Sequence, residues 1–483
     1  MMRMLRTGLM VAVATALTGC VNLAPTYTRA AAPVPKIWPT VDGKPATASK
    51  TQAASIGWRD FFKDARLQHV IEQALANNRD LRVAVLNIEK ARAQYRIQRA
   101  ELFPSISAEG SESASRTPSK LTATGQSSVS RTDSVQLGFS SYQVDLFGEL
   151  HNLKDEEWEN YLSTAETRRS THISLVETVA SDWLTLASDM ALLDLSRQTL
   201  KSQQATYDLT KAQHDIGTVS GLDLVQAQSS VEAARKDIAS YITQVAQDLN
   251  ALNLEVGASV ADADLPDASI TSQLAMAELP AGISSNVLLQ RPDVLSAEHT
   301  LKAANADIGA ARAAFFPSIT LTADKGTESD GLAGLFKKGS GAWSFAPSIS
   351  VPIFNAGSLR ASLDEAKATQ GIDLADYEKT IQTAFREVAD ALAIRATVQE
   401  QLDALQNEVQ ADQRSYELTR ALYQQGSDSM LDVLTTQRTL YSAQQSLIAV
   451  QLSDQTSSLN LYAALGGGLR EQTIKTSTGG ASP

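Results

Sequence analysis

One pattern in the chain is stated twice. Tyr207, Leu209, Thr210, Ala212, Gly217, Leu222, Asp223 and Gln228 recur as Tyr416, Leu418, Thr419, Ala421, Gly426, Leu431, Asp432 and Gln437, each displaced by 209 residues without a gap. Chance does not keep one offset over eight matches, so the chain reads as a duplication of a unit of roughly 200 residues. The length of 483 residues would otherwise allow about three ordinary domains. Two interlocked halves are expected instead, each doing much of what the other does.

Between the repeated points lie stretches without helix breakers. Proline is missing from 119 to 265 and from 353 to 482, and glycine from 149 through 216, from 222 through 256 and from 427 through 465. Rich in Ala, Leu, Gln, Glu and Lys, these stretches predict helices. One running from 149 to 216 would be about 100 Å long at ~1.5 Å per residue, too long to stand without neighbours of similar length. Its apolar positions show how it packs: Val176, Trp183 and Met190 step by seven, as do Val179, Leu186, Leu193, Leu200 and Tyr207. The second half repeats the step in Val388, Leu402, Val409, Tyr416 and Tyr423, broken once by Arg395. A period of about 3.5 residues specifies left-handed coiled-coil packing. Trp183 and Met190 are thereby read as coiled-coil core.

Each long helix meets a glycine-bearing turn, Gly217, Thr218, Val219, Ser220 and Gly221 in the first half and Gly426, Ser427, Asp428 and Ser429 in the second. A second helix follows at once, which makes an antiparallel hairpin with an exposed tip. Shorter helices are expected near 80–102 and 293–315.

Strand signals also come in pairs. Ile106, Ala108 and Gly110 alternate with serines and Glu109, and Ile319, Leu321 and Ala323 alternate with Ser318, Thr320, Thr322 and Asp324. Their return strands run through Val135, Leu137 and Phe139, then Tyr142, Val144 and Leu146 after a phase slip at Ser140 and Ser141 that predicts a bulge, and through Trp343, Phe345, Pro347, Ile349, Val351 and Ile353. Alternation over about ten residues is the mark of a membrane β-strand. Residues 116–134 and 328–342 read as the loops that join each pair.

No apolar run of 18 residues follows the first twenty, so strands are the means by which this chain could cross a membrane. Backbone groups in hydrocarbon must all be paired, so a spanning sheet has to close on itself. Four strands cannot close. Two copies would pool eight strands and three copies twelve, and strand counting does not choose between them.

The start of the chain fits that destination. Arg3 and Arg6 precede an apolar stretch from Gly8 to Leu17, the build of a secretory signal over 1–19. Leu17, Thr18 and Gly19 then lead into Cys20, the only cysteine, in a pattern similar to a bacterial lipobox, where the thiol takes a diacylglycerol. Val21 is not the aspartate that often signals retention at the inner membrane, so the outer membrane is the expected address. Five prolines from Pro25 to Pro45 suggest an extended tether over 20–60. The first repeat then occupies 61–257 and the second 286–466, with 258–285 between them and a tail over 467–483.

Formal net charge is −12, and −14 once Arg3 and Arg6 leave with the signal, which argues against nucleic acid as a partner. The five histidines are scattered, without metal-ligand spacing. No Walker loop, nucleophile elbow or dinucleotide fingerprint occurs. Neither an enzyme nor a cofactor other than a covalent lipid on Cys20 is expected.

Several segments together resemble a known family. Leu288-Leu289-Gln290-Arg291-Pro292-Asp293-Val294, Ala303-Ala304-Asn305-Ala306-Asp307-Ile308-Gly309 and Phe315-Phe316-Pro317-Ser318-Ile319 are similar to the TolC-like outer-membrane factors of tripartite efflux systems, in their lipoprotein NodT branch. Asp145-Leu146-Phe147-Gly148, Leu431-Asp432-Val433-Leu434 and Leu461 through Gly468 add to the likeness. The resemblance implies a homotrimer with a twelve-stranded β-barrel and a long periplasmic coiled-coil barrel of helices. It implies a passive exit duct for drugs or other small toxic compounds, served by a periplasmic adaptor and a proton-driven inner-membrane transporter; metal-ion efflux or type I protein secretion is the alternative cargo. A periplasmic gate is implied at Leu431 and Asp432, with Thr435 where many members carry a further carboxylate. Asp223, the repeat partner of Asp432, reads first as a charge favourably placed on a helix N-terminus. The tip residues named above are the expected adaptor-docking points. A structural rod without a pore is the competing class, and the alternating strand pairs speak against it.

Overall fold

A computed structural model describes residues 22–39, 53–268 and 284–473. The leader and Cys20 lie outside the described residues, as does most of the stretch between the repeats. The chain divides into two compact units, one of 1–31, 87–165 and 296–377, the other of 32–86, 166–295 and 378–483.

The first unit holds the strands. They are β1 (Ile106–Thr117), β2 (Ser128–Val144), β3 (Ser318–Ser329) and β4 (Gly341–Ser350), in one antiparallel sheet of order β1-β2-β3-β4. The predicted bulge is present: the β2–β3 register shifts between Phe139 and Tyr142, and Ser141 takes a left-handed φ of 56°. The strands outrun the alternation that signalled them. Pairing continues to Thr117 opposite Ser128 and to Thr327 opposite Gly341, so the loops shrink to 118–127 and 330–340 from the expected 116–134 and 328–342. Backbone pairing needs no apolar side chains, and past Gly110 and Val135 polar residues predominate on both faces, with Ala114 and Val129 the exceptions. At the other end β4 stops at Ser350, short of Ile353, where its partner runs out: Ser350 stands opposite Ser318, the first residue of β3.

Helices flank the sheet in sequence: α1 (Trp58–Phe61), α2 (Ala65–Asn77), α3 (Arg79–Ala100), α4 (Glu149–Asp215), α5 (Gly221–Val256), α6 (Pro292–Ala313), α7 (Ser358–Gln424) and α8 (Met430–Ala464). The two long ones, α4 and α7, each run 67 residues unbroken.

The second unit is built on the seven-residue steps. Val176, Val179, Trp183, Leu186 and Leu193 are buried along α4, and Val388, Leu402 and Tyr416 along α7. Arg395, which interrupts the second series, reaches Ser458 on α8 with its guanidinium. Trp183 is wholly buried and donates its indole N–H to the Asp264 carbonyl at 3.1 Å, so the segment after α5 caps the coiled coil.

The stretch read as tether is tied down over much of its described length. Trp38 is buried and stacks on Phe385 at 4.7 Å. Trp58, Phe61 and Phe62 join the core, where Phe61 stacks on Tyr462 at 3.9 Å and the Tyr462 hydroxyl donates to the Ile56 carbonyl at 2.7 Å. The start of the tail runs beside them, with the Trp58 and Arg59 amides donating to the Arg470 and Glu471 carbonyls at 2.8 and 3.2 Å. Each large side chain so buried contributes about 1.5–3 kcal/mol.

Candidate functional site

Strand register sorts the sheet into two unlike faces. Ile106, Phe139, Ala323 and Phe345 stand in one row, and Ala108, Leu137, Lys325 and Trp343 in the next. Tyr142, Leu321 and Pro347 continue that face one way, and Val135 the other. Between those rows, Ser107, Glu109, Ser111, Gln136, Ser134, Thr320, Asp324, Ser344 and Ser348 point to the opposite face, because successive side chains alternate. The apolar face has no protein over much of its extent: Ile106, Leu137, Trp343, Phe345 and Ile349 are 68, 59, 77, 58 and 67% exposed. A sheet that leaves its apolar side bare and keeps its other side polar is built for lipid outside and water inside. Among the described residues neither of its edges, β1 and β4, has a further strand beside it. In hydrocarbon those edges must pair with strands of other copies.

The tips belong to the second unit and are near-copies of each other. In the first, the Gly217 amide donates to the His214 carbonyl at 2.8 Å and the Thr218 amide to that of Gln213 at 2.9 Å, with Gly217 at φ 79°. In the second, the Gly426 amide donates to the Tyr423 carbonyl and the Ser427 amide to that of Leu422, both at 2.9 Å, with Gly426 at φ 76°. Both glycines end their helix in the left-handed region, where a Cβ is strained. Open space surrounds them: an added Cβ would meet nothing within 4 Å at either.

After each turn a serine caps the returning helix. Ser220 accepts from the Asp223 amide at 3.2 Å while its own amide donates to the Asp223 carboxylate at 3.2 Å, a complete capping box. Ser429 accepts from the Asp432 amide at 3.2 Å and gives its hydroxyl to that carboxylate. Its own amide turns to Asp428 at 2.8 Å, the one change in the pattern. The reading of Asp223 as a helix-terminal charge thus extends to Asp432. The Ser429 hydroxyl, and after it Asp428, hold the exposed Asp432 carboxyl below the usual aspartate range. The Ser-x-x-Asp spacing at both places was a legible signal for these caps. Leu431 is 49% exposed beside Asp432. Thr435 turns its hydroxyl back to the Leu431 carbonyl at 2.7 Å and adds no second carboxylate.

Behind the second tip, Met430, Val433, Leu434, Leu440 and Tyr416 form a buried cluster, edged by Val409 and Tyr423. Polar contacts join the two hairpins: the Tyr423 hydroxyl donates to Gln213 Oε1 at 2.7 Å, the Gln437 amide donates to Ser202 Oγ at 3.1 Å, and the Tyr441 and Ser196 hydroxyls meet at 2.8 Å. Sequence reasoning did not foresee these bridges, which join residues more than 200 positions apart. Among the described residues no group of three or more His, Cys, Asp or Glu side chains stands in position to hold a metal ion.

Comparison with known proteins gives this architecture its place. The model of the outer membrane efflux protein family matches residues 70–258 and 283–467, one stretch for each repeat. The chain belongs to that family. Like other outer membrane efflux proteins, it is 49% identical over 458 residues to the antibiotic efflux pump outer membrane protein ArpC of Pseudomonas putida, covering 95% of this chain and 94% of that one. It is 43% identical over 459 residues to the cation efflux system protein CusC of Escherichia coli, covering 94% and 98%. The crystal structure of the open state of the Neisseria gonorrhoeae MtrE outer membrane channel superposes with a TM-score of 0.84 at 37% identity, over 94% of this chain and all of that one. As an outer membrane efflux protein, the chain supplies four strands to a trimeric twelve-stranded barrel in the outer membrane, with its helices in the periplasm. The copy number that strand counting left at two or three is therefore three. Each trimer is the exit duct of a tripartite efflux pump.

Proposed function

We propose that the duct carries antibiotics and other small toxic compounds, delivered by a proton-driven inner-membrane transporter through a periplasmic adaptor. The observation that carries this reading is the 49% identity, sustained over 95% of the chain, to a protein named for antibiotic efflux. Metal-ion cargo is the second reading, favoured by the 43% identity to a cation efflux protein. A strain lacking this protein should become sensitive to hydrophobic antibiotics, with tolerance of metal-cation salts unchanged. The reverse pattern would replace the first cargo with the second.

Three further assignments complete the proposal. Cys20 carries the lipid that anchors the mature chain in the outer membrane. Gly217, Thr218, Val219, Ser220 and Gly221, with Gly426, Ser427, Asp428 and Ser429, receive the adaptor; their support is the open space around both glycines and the absence of any packing need for bulk at these turns. Leu431 and Asp432, repeated around three copies, form the periplasmic constriction. That reading draws on the exposure of both side chains and on a carboxylate held ionised by its cap. Mass analysis of the N-terminal peptide tests the lipid: a diacylglyceryl adduct on Cys20 is expected, and an unmodified thiol would remove it.

A further inference from the structure

Residues 23–29 do not wander. They lie along one stripe of α6, antiparallel to it, and nearly every step has its own partner. Arg312 donates to the Leu23 carbonyl at 2.9 Å, and Asn305 donates to the Pro25 carbonyl at 2.8 Å. Between them Ala24 crosses Gly309, where an added Cβ would stand 2.8 Å from the alanine's own. The Lys302 ammonium sits 5.3 Å from the Tyr27 ring centre. Last, Glu298 gathers three donors: the Tyr27 hydroxyl at 3.3 Å, Arg29 Nε at 3.0 Å with a second guanidinium nitrogen on the other oxygen, and Lys302 Nζ at 3.2 Å. Its side chain is 4% exposed.

Positions 298, 302, 305, 309 and 312 are spaced by alternate fours and threes, which is one face of a helix. The fourteen steps from 298 to 312 rise about 21 Å at ~1.5 Å each, and the six steps from 23 to 29 extend about 20 Å at ~3.3 Å each. Because the two rises agree, a slip by one residue would lose the partners all along the strap. Leu23 is thereby fixed beside Arg312, six residues before β3 begins at Ser318. A link of three residues, from Cys20 to Leu23, reaches at most about 10 Å.

We propose that residues 23–29 are a strap locked in register on α6, and that Glu298 is the positioning residue that fixes the start of the mature chain, and the lipid it carries, at the level where β3 enters the membrane. The lipid clause rests on the assignment of Cys20 above; the register clause does not. Glu298 acts through the strap and touches no cargo.

The test uses the full-length protein in proteoliposomes with two readouts. Trypsin cleavage after Arg29 requires that guanidinium to leave Glu298 for the protease pocket. Quenching of a bimane label on Asn22→Cys by spin-labelled lipid reports how near the chain start lies to the membrane. Glu298→Ala should raise the Arg29 cleavage rate at least tenfold and reduce the quenching at least twofold, while the trimer band on unheated gels persists. Glu298→Asp should restore most of both. If Glu298→Ala fails to assemble, Arg29→Gln, which leaves Glu298 paired with Lys302, should show the same loss of quenching. Cleavage and quenching within twofold of wild type in the alanine variant would overturn the register lock. An unmodified N-terminal peptide in the mass spectrum would overturn the lipid clause alone, with the cleavage rate still deciding the register.

Discussion

An arginine at Ala323 tests the two-faced sheet where its cost is greatest. Ala323 stands on the apolar face of β3 with Phe139 and Phe345 as its cross-strand neighbours. Along that strand the outward positions run from Ile319 through Leu321, Ala323 and Lys325 to Thr327, eight residue steps or about 27 Å at ~3.4 Å each, and Ala323 is the midpoint. At the ~35–45° tilt of barrel strands that length stands about 19–22 Å tall, inside the ~25 Å apolar belt of a membrane barrel. Arginine at the midplane of such a belt costs about 2–4 kcal/mol per copy. Each copy's folded-to-unfolded ratio should therefore fall about 30- to 1,000-fold, and the three copies together lose roughly 6–12 kcal/mol if their losses add. Ser348→Arg, paired with Thr320 on the polar face, should stay within about 0.5 kcal/mol of wild type. Urea unfolding from liposomes, followed by tryptophan emission, reads both. The assignment of faces is wrong if the Ser348 variant loses as much as the Ala323 variant.

Asp432→Asn should weaken cation selectivity and divalent block in planar-bilayer recordings; unchanged selectivity would remove the acidic ring. Its pH dependence has a definite sign, because the folded carboxyl titrates below its ordinary value. Wild-type selectivity should fade as Asp432 is protonated, and because the Ser429 hydroxyl favours the charged carboxylate, Ser429→Ala should move that loss to higher pH. Gly426→Val forces a branched side chain to φ 76°, a strain of about 1–2 kcal/mol with no clash, so trimers should still form while export of a fluorescent drug collapses. Full export with a valine there would refute docking at the tip. Tyr462→Phe leaves the Ile56 carbonyl without its partner and should cost about 1–2 kcal/mol, seen as a lowered Tm; no change in Tm would show that water replaces the hydroxyl.

What the sequence made legible was whatever local pattern could carry. The 209-residue repeat located both tips, the missing prolines and glycines bounded the long helices, and a slip in alternation at Ser140 and Ser141 located the bulge. Strand length was not legible past Gly110 and Val135, because alternation reports a lipid face and the ends of β1 and β2 have none. The closure of the second unit was hidden for a different reason. Its ladder from Trp58 and Arg59 to Arg470 and Glu471 joins residues 412 apart through backbone atoms, which leave no side-chain signature. Five N-terminal prolines marked an extended tether over 20–60 but not the seat of residues 23–29, since the stripe on α6 is polar and looks like a solvated face. At the tips the glycines were plain and the caps readable, whereas the Tyr423–Gln213 and Gln437–Ser202 bridges needed the packed hairpins to exist.

The claim on which the rest depends is that four strands with two bare edges close only by being shared among three chains. Native mass spectrometry of the protein released from lipid nanodiscs counts chains directly. Three copies per particle are predicted, and a particle of one, two or four copies would contradict the account.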